Sequence, residues 1–317
     1  MIPPPTIAMM SLAANAVIED VLLRGSQGMR TAPRTEVGLV AAVVLGGVNK
    51  IATVWAPFLS KSSMSLNLVG VFCHAAPLVR FQPAGTNVQT CELADLLIVV
   101  DFTDNGVTTR TATLVQAKMA SKARRVSLTG RSSARQLGLY QVWPQFSFVD
   151  SVYGAEQYLL ATKGGAQSGT FGVIDRHFRM THAAPPIWTQ HPALPTPSDV
   201  TNEPMLGTFI AEMVGGGARG RRAWPGGHDD WSKVVDLLLR VTYGKTFRHR
   251  PTLGATSPLR GVTATVCFLA TANTATTQIR RSGGAWQPPF DGFEFIDSPD
   301  PGGISLIHAR IGRSKPS

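Results

Sequence analysis

The chain has 317 residues, 44% hydrophobic and 16% charged, a composition that supports a sizeable core and argues against disorder. Thirty Lys and Arg stand against 20 Asp and Glu, giving a net charge of +10 and a pI near 10.0, a balance suited to a polyanionic partner. Cys73, Cys91 and Cys267 lie far apart with no CxxC pair, which argues against a cysteine-built zinc or iron–sulfur centre and against a disulfide scaffold.

In chain order, residues 6–24 carry apolar positions at helical spacing and stop at Gly25. Glu19 and Asp20 interrupt this segment and no basic region precedes it, so no signal peptide is expected. After a polar, basic stretch at 26–34, a second helix is predicted over 35–45. Thr35 is its N-cap, Glu36 lies in its first turn and Gly46-Gly47 ends it. The longest apolar run, 37–48, is shorter than the about 20 residues of a membrane span; the expectation is a soluble, cytoplasmic protein with no membrane partner.

Strands are predicted at 66–73, 77–82, 96–102 and 111–117, with Asp104, Asn105 and Gly106 turning the last two into a hairpin. A short helix follows at 133–142, then strands at 156–162 and 170–174. Residues 183–200 are proline-rich and read as a linker or an extended crossing loop. Helices at 205–214 and 230–243 flank 215–228, which reads as a mobile loop, and strands return at 262–270 and 303–311. The C-terminal third either stands as a separate domain or closes over the first.

Chemistry concentrates between residues 92 and 140. Asp95 opens an apolar strand, and Gln116 and Lys118, two apart on the next strand, point to one face while Ala117 points to the other. Paired as a hairpin, the strands bring Asp95 and the Gln116/Lys118 pair together at one end. There a carboxylate and an amide oxygen can ligate Mg²⁺ or Mn²⁺, and the lysine ammonium can activate a water or steady charge building on a phosphate.

Asp95 followed after about 20 residues by Gln116-x-Lys118 resembles the catalytic motif of the PD-(D/E)XK nuclease superfamily. Gln at the middle position is similar to the Q-x-K variant of the Mrr-like restriction endonuclease branch. Gln136-x3-Tyr140 on the following helix is similar to the QxxxY motif of RecB-like nucleases. The resemblance covers roughly residues 35–175. It implies an α/β fold with a restriction-endonuclease-like αβββαβ core and a mixed central sheet. It divides the chain into a nuclease-like domain (1–180), a Pro-rich linker or crossing loop (181–200) and a C-terminal α+β region without an assigned role (201–317). The implied activity is metal-dependent hydrolysis of DNA phosphodiester bonds, in restriction or anti-phage defence, held in check by assembly as a homo-oligomer or by a regulating protein partner. Asp95, Gln116, Lys118, Gln136 and Tyr140 are then the catalytic group, with Mg²⁺ or Mn²⁺ on Asp95 and Gln116. Because Gln116 is neutral, a further carboxylate is wanted; the family often draws a Glu from its first helix, which makes Glu36 the candidate and Glu19 the alternative. Glu92, three residues before Asp95, is either a further ligand or a simple loop carboxylate. Asp101 lies about 20 Å along an extended strand, too far to share the metal.

The charge distribution points to nucleic acid, DNA first with RNA open. Residues 105–149 contain no acid, and Lys122, Arg124, Arg125, Arg131 and Arg135 follow the catalytic strand directly, placed to clamp a phosphate backbone. Arg219, Arg221 and Arg222, glycine-flanked and followed by Trp224, form a second basic candidate. Two other readings stay open: a catalytically inactive nuclease-fold protein serving as a nucleic-acid-binding or scaffold subunit, favoured by the neutral Gln116, and a small-molecule enzyme whose basic pockets take phosphorylated metabolites.

Overall fold

The N-terminal apolar periodicity forms α1 (Pro4–Arg24), opened by proline at its first position and closed by Gly25 at φ 79°, whose N–H bonds to Val21 O. The computed structural model describes residues 2–25, 35–61, 64–73, 77–120, 126, 131–160, 168–175, 188–192, 203–217, 219–244, 262–268 and 303–313. Thr35 caps α2 (Glu36–Ala41), its hydroxyl accepting from the Gly38 N–H at 3.1 Å.

This helix does not stop at Gly46-Gly47, as the sequence predicts. It runs through a π-helical stretch, Ala42–Gly47, into α3 (Val48–Ser60). A glycine costs a helix about 1 kcal/mol, and the burial of Val43, Val44, Leu45, Val48 and Ile51 outweighs it. Pro4–Arg24 and Glu36–Ser60 are both long and apolar enough to cross a membrane by length and composition, with 39% and 61% of their apolar windows buried inside the protein.

The strands follow as β1 (Met64–Phe72), β2 (Leu78–Phe81), β3 (Gln89–Glu92), β4 (Leu96–Asp104) and β5 (Val107–Ala120), then α4 (Arg131–Val142), β6 (Phe146–Phe148), β7 (Gln157–Tyr158), β8 (Gly169–Asp175) and β9 (Trp188–His191). The chain ends with α5 (Leu206–Val214), β10 (Arg221–Ala223), α6 (Asp230–Gly244), β11 (Val262–Phe268) and β12 (Leu306–Arg313). The large sheet is mixed, in the order β11-β1-β12-β4-β5-β8-β9, with β10 also on β5. A small antiparallel sheet runs β3-β2-β6-β7.

The β4–β5 hairpin turns at Asn105 and Gly106, both at positive φ, and pairs Leu96 with Val115 and Asp101 with Arg110. β8 returns parallel to β5 after α4, since a parallel neighbour needs a crossover connection rather than a tight turn. β12 lies between β1 and β4, antiparallel to the first and parallel to the second. The described strands of the C-terminal third thus complete the same sheet as the N-terminal half.

Both faces of the sheet are covered. Leu96, Ile98 and Val100 of β4 face a core shared with α1, α2, α3 and α5. Leu97 and Val99 face a second core shared with α4, α6 and the small sheet. The continuous apolar run of β4 follows from that double burial.

Two segments depart from the sequence reading. The Pro-rich stretch contains β9, antiparallel to β8, because Trp188 has a buried seat over Gly172, where a Cβ would meet its Nε1 at 2.5 Å. The glycine-rich stretch 215–228 contains β10, whose Ala223 is buried and pairs with Arg110. Sheet pairing, which no local pattern reveals, orders both.

Candidate active site

Asp95 stands immediately before β4, and its N–H bonds to Val115 O at 3.0 Å. That register places its carboxylate over the next strand. Oδ2 accepts the Ala117 N–H at 2.8 Å and the side-chain amide of Gln116. Ala117 belongs to the first core, so the alternation of β5 turns Gln116 and Lys118 to the opposite face. Gln116 is fully buried, and its Oε1 has no hydrogen-bond partner.

Lys118, 7% exposed, reaches Glu36 Oε1 at 3.4 Å. Thr35 starts α2 at this end of β5, so Glu36 occupies its first turn, where the helix dipole favours a carboxylate. The backbone N–H of Met119 also bonds to Glu36. Glu19 lies on α1; the position against Lys118 is held by Glu36.

The carboxylates destabilise one another's ionised forms. Asp95 is pushed up to about 7, first by burial and then by the charge of Glu36, against the pull of Lys118 and the Ala117 N–H. Glu92, at the end of β3, is held well above the usual carboxylate range by burial and then by Asp95. Burial also raises Glu36, and Lys118 opposes it. Glu92 thus feels the charge of Asp95, three residues on in the chain. Its neighbour Cys91 is buried, with its thiol pushed up to about 12, which keeps it unreactive.

Tyr140 and Gln136 share one face of α4, four residues apart, and both are buried. The Tyr140 hydroxyl donates to Leu93 O at 3.0 Å, and its ring packs on Trp143 and Phe171 at centroid distances of 4.8 and 5.3 Å. It therefore pins the segment that carries Glu92 and Asp95. Trp143, Phe146 and Phe148 are buried core residues.

The basic candidates separate. Lys122, Arg124 and Arg125 lie outside the described residues, and Arg131 opens α4. Arg135 donates to Thr90 O at 3.2 Å, beside the site. Arg219 pairs with Glu212 at 2.6 Å, and Arg221 donates to Leu160 O at 3.0 Å and Ser168 Oγ at 2.8 Å. Arg222 is exposed, with its guanidinium 4.0 Å from the centroid of Trp224. This trio lies by Arg110–Ala112, the other half of β5 from Gln116.

Arg110, within the acid-free window, is an internal partner. It holds Asp101 through Nε at 2.6 Å and Nη2 at 2.8 Å, and Asp236 through Nη1 at 2.5 Å. His308 Nε2 lies 3.1 Å from Asp101, and its Nδ1 lies 2.8 Å from the Tyr243 hydroxyl. Asp101 is thus committed to the core, away from Asp95. Asp229 caps α6, accepting from the Ser232 N–H at 3.1 Å.

No family model matches the chain, and neither a curated protein nor a solved structure shows significant similarity to it. The fold and site define a class: a mixed α/β protein with a buried carboxylate–amide–lysine centre at one end of its central hairpin. Within that class, the residues themselves carry the functional argument.

Proposed function

We propose that the chain is a metal-dependent nuclease that hydrolyses DNA phosphodiester bonds. One observation carries the reading. Gln116 is fully buried against Asp95 with its Oε1 unpaired, on the same strand face as a lysine held 3.4 Å from Glu36. A buried acceptor without a partner is costly, and carboxylates that raise one another are relieved by a cation. The element order of α2–α3, β1, the β4–β5 hairpin, α4 and β8 supports a PD-(D/E)XK-like core, here with β12 inserted beside β4.

The donor set of Asp95, Gln116 Oε1, Glu36 and Glu92 is all oxygen, which suits Mg²⁺ or Mn²⁺. Among the described residues, no three His, Cys, Asp or Glu side chains already converge as a metal cage. The Gln116 amide is therefore the group that must complete the set, by turning its oxygen toward Asp95. A bound divalent cation would supply Lewis acidity and a lowered water pKa. Lys118 orients the attacking water and steadies the negative charge on the phosphoryl oxygens. Asp95 is held in place by the Ala117 N–H, and Tyr140 fixes the backbone that presents it. A role in restriction or anti-phage defence, with a partner holding activity in check, accompanies this reading by resemblance.

Gln116 also supports a second reading, a nucleic-acid-binding scaffold without catalysis, because in the present geometry its amide donates to Asp95. Cleavage of supercoiled and linear DNA with Mg²⁺, Mn²⁺ or EDTA separates the two. Metal-dependent cleavage lost in Asp95→Ala and Lys118→Ala supports the nuclease; intact binding with no cleavage in any of the three proteins supports the scaffold.

A further inference from the structure

Arg80, Ser147 and Gln157 stand side by side on the outer face of the small sheet, one on each of β2, β6 and β7. On the other flank Arg80 pairs with Thr90 of β3. The inner positions of the same strands, Val79, Phe81, Phe146, Phe148 and Tyr158, are buried in the second core. The outer row is therefore the solvent face, and Arg80, Gln82, Gln145 and Gln157 are exposed on it. Together with Val88 and Ser147 they line an open cleft of about 350 Å³.

Three features give this face a direction. First, its lining holds one cation, three amide side chains and a hydroxyl, and no carboxylate. Second, Arg135 extends the positive charge toward the site by docking on Thr90 O at 3.2 Å. Third, Thr90 and Glu92 share one face of β3, and Leu78 pairs with Glu92. The row therefore runs without a break from Gln157 to the carboxylate group around Asp95. Four strands at about 4.8 Å spacing make a track of about 14 Å.

We propose that the outer face of the small sheet is a nucleic-acid track, along which one strand of the substrate runs to or from the site at Asp95. This rests on the nuclease reading for its destination, but not for its binding chemistry. Arg80 and Arg135 take backbone phosphates. Gln82, Gln145 and Gln157 carry both donors and acceptors, so they meet the edges of unpaired bases. The two aromatic residues at the cleft, Phe81 and Phe146, are buried in the second core, so affinity comes from phosphate contacts and hydrogen bonds rather than stacking. A single strand is the occupant because only unpaired bases offer those edges to amides on a shallow sheet face.

The test is fluorescence anisotropy of the full chain with a labelled single-stranded DNA, the same sequence as RNA, and the DNA duplex, all in EDTA so that nothing is cut. The variants are Arg80→Ala and the double Gln145→Ala/Gln157→Ala, with Arg24→Ala on α1 as a control for net charge. All the substituted side chains are exposed, and circular dichroism checks that each variant folds. The expected result is single-strand binding weakened about tenfold in Arg80→Ala, with a salt dependence shallower by about one, and unchanged in Arg24→Ala. The amide double variant should lose affinity with its salt dependence intact. Binding within twofold of the parent in both track variants overturns the track, and so does a loss equal to that in Arg24→Ala. Metal-dependent cleavage by the parent is read separately. If Arg80→Ala loses binding while the parent does not cut, the track stands and the scaffold reading is favoured over the nuclease; if the parent cuts and the track variants bind normally, the nuclease stands and the track falls.

Discussion

Gln116 donates its side-chain amide to Asp95 across the β4–β5 hairpin and leaves its own Oε1 buried without a partner. That pair explains why a neutral residue can stand beside Asp95, Glu36 and Glu92: the amide N–H₂ donates to Asp95 where a fourth acid would add repulsion. Replacing it with an acid, Gln116→Glu, removes the donor and adds a charge in a fully buried place. The expected outcome is a loss of about 1–3 kcal/mol of stability in EDTA. Mn²⁺ should restore more stability to the variant than to the parent, because it would offer the ion an additional charged oxygen. Thermal unfolding of both proteins with EDTA and with Mn²⁺ measures this, and equal metal responses would count against a cation at Asp95.

Asp95 gives the site a pH signature. Burial and then the charge of Glu36 push its folded-state pKa up to about 7, well above the ordinary aspartate value, so the ionised carboxylate opposes folding. The opposition is fully present above about 7 and disappears as the pH falls toward 4. Asp95→Asn keeps an oxygen acceptor for the Ala117 N–H and removes the charge. It should therefore stabilise the metal-free protein relative to the parent at pH 8, by at most a few kcal/mol at about 1.4 kcal/mol per pKa unit. The gain should shrink at pH 5. Urea unfolding of parent and variant at the two pH values gives the comparison, and a pH-independent difference would show that the carboxylate is not held in this state.

Lys118 acts in the opposite sense. It is the cation that the raised carboxyls of Glu36, Glu92 and Asp95 all feel. Lys118→Met keeps the stem and removes the charge, so the three acids lose their counter-charge in a buried setting. Stability at pH 8 should fall by about 2–4 kcal/mol, with the loss smaller at pH 5, where the acids take up protons. Under the nuclease reading, cleavage disappears at both pH values, which separates the chemical role of the lysine from its structural one.

Much of this site is legible in the sequence because it is local. The hairpin turn at residues 104–106 fixes the register, and the register sets Asp95 beside Gln116. The same arithmetic pairs Asp101 with Arg110, a signal that the acid-free composition of the 105–149 window obscures, since a surface cation and an internal ion-pair partner look alike in a charge count. The insertion of β12 between β1 and β4 was not legible: it joins residues more than 200 positions apart in the chain, and only the shapes of both sheet faces select it. The continuation through Gly46-Gly47 fails for a related reason. Local propensity favours a stop, and tertiary burial of α3 overrides it.

The buried network around Asp101 sets the acid limit of the fold. Burial raises the Asp101 carboxyl, but hydrogen bonds from Arg110 and His308 win and hold it well below the usual range. Burial holds His308 below its ordinary value. Both depressed groups act in the same direction. The unfolded chain takes up protons first, so stability contributed above the unfolded values is lost as pH falls, through His308 below about 6.5 and then Asp101 below about 4. Arg110→Met leaves Asp101 and Asp236 without their shared guanidinium and should cost about 3–5 kcal/mol at pH 7. Its loss should be smaller in acid, where Asp101 becomes neutral. Denaturant midpoints of parent and variant from pH 7 down to pH 4 test this, and parallel curves would place the network outside the stability-limiting core.

Gly169 supplies a test of how α4 is anchored. A Cβ at this position would lie 2.5 Å from Tyr140 Cε1 and 2.7 Å from Trp143 Cζ2, because β8 passes directly beneath the aromatic end of α4. Tyr140 is also the residue whose hydroxyl holds Leu93 O, so pressure on its ring is transmitted to the segment that carries Glu92 and Asp95. Gly169→Ala should destabilise the fold by about 1–3 kcal/mol through overpacking. It should also weaken that hydrogen bond, so that the Asp95 carboxyl is less tightly positioned. Tyr140→Phe, which deletes the hydrogen bond and keeps the packing, provides the second arm. If Tyr140 acts only through position, both variants should lower DNA cleavage by a similar factor at saturating Mg²⁺, while DNA affinity in EDTA stays at the parent value. A fall in affinity alone would instead place the Tyr140 face of α4 in substrate binding.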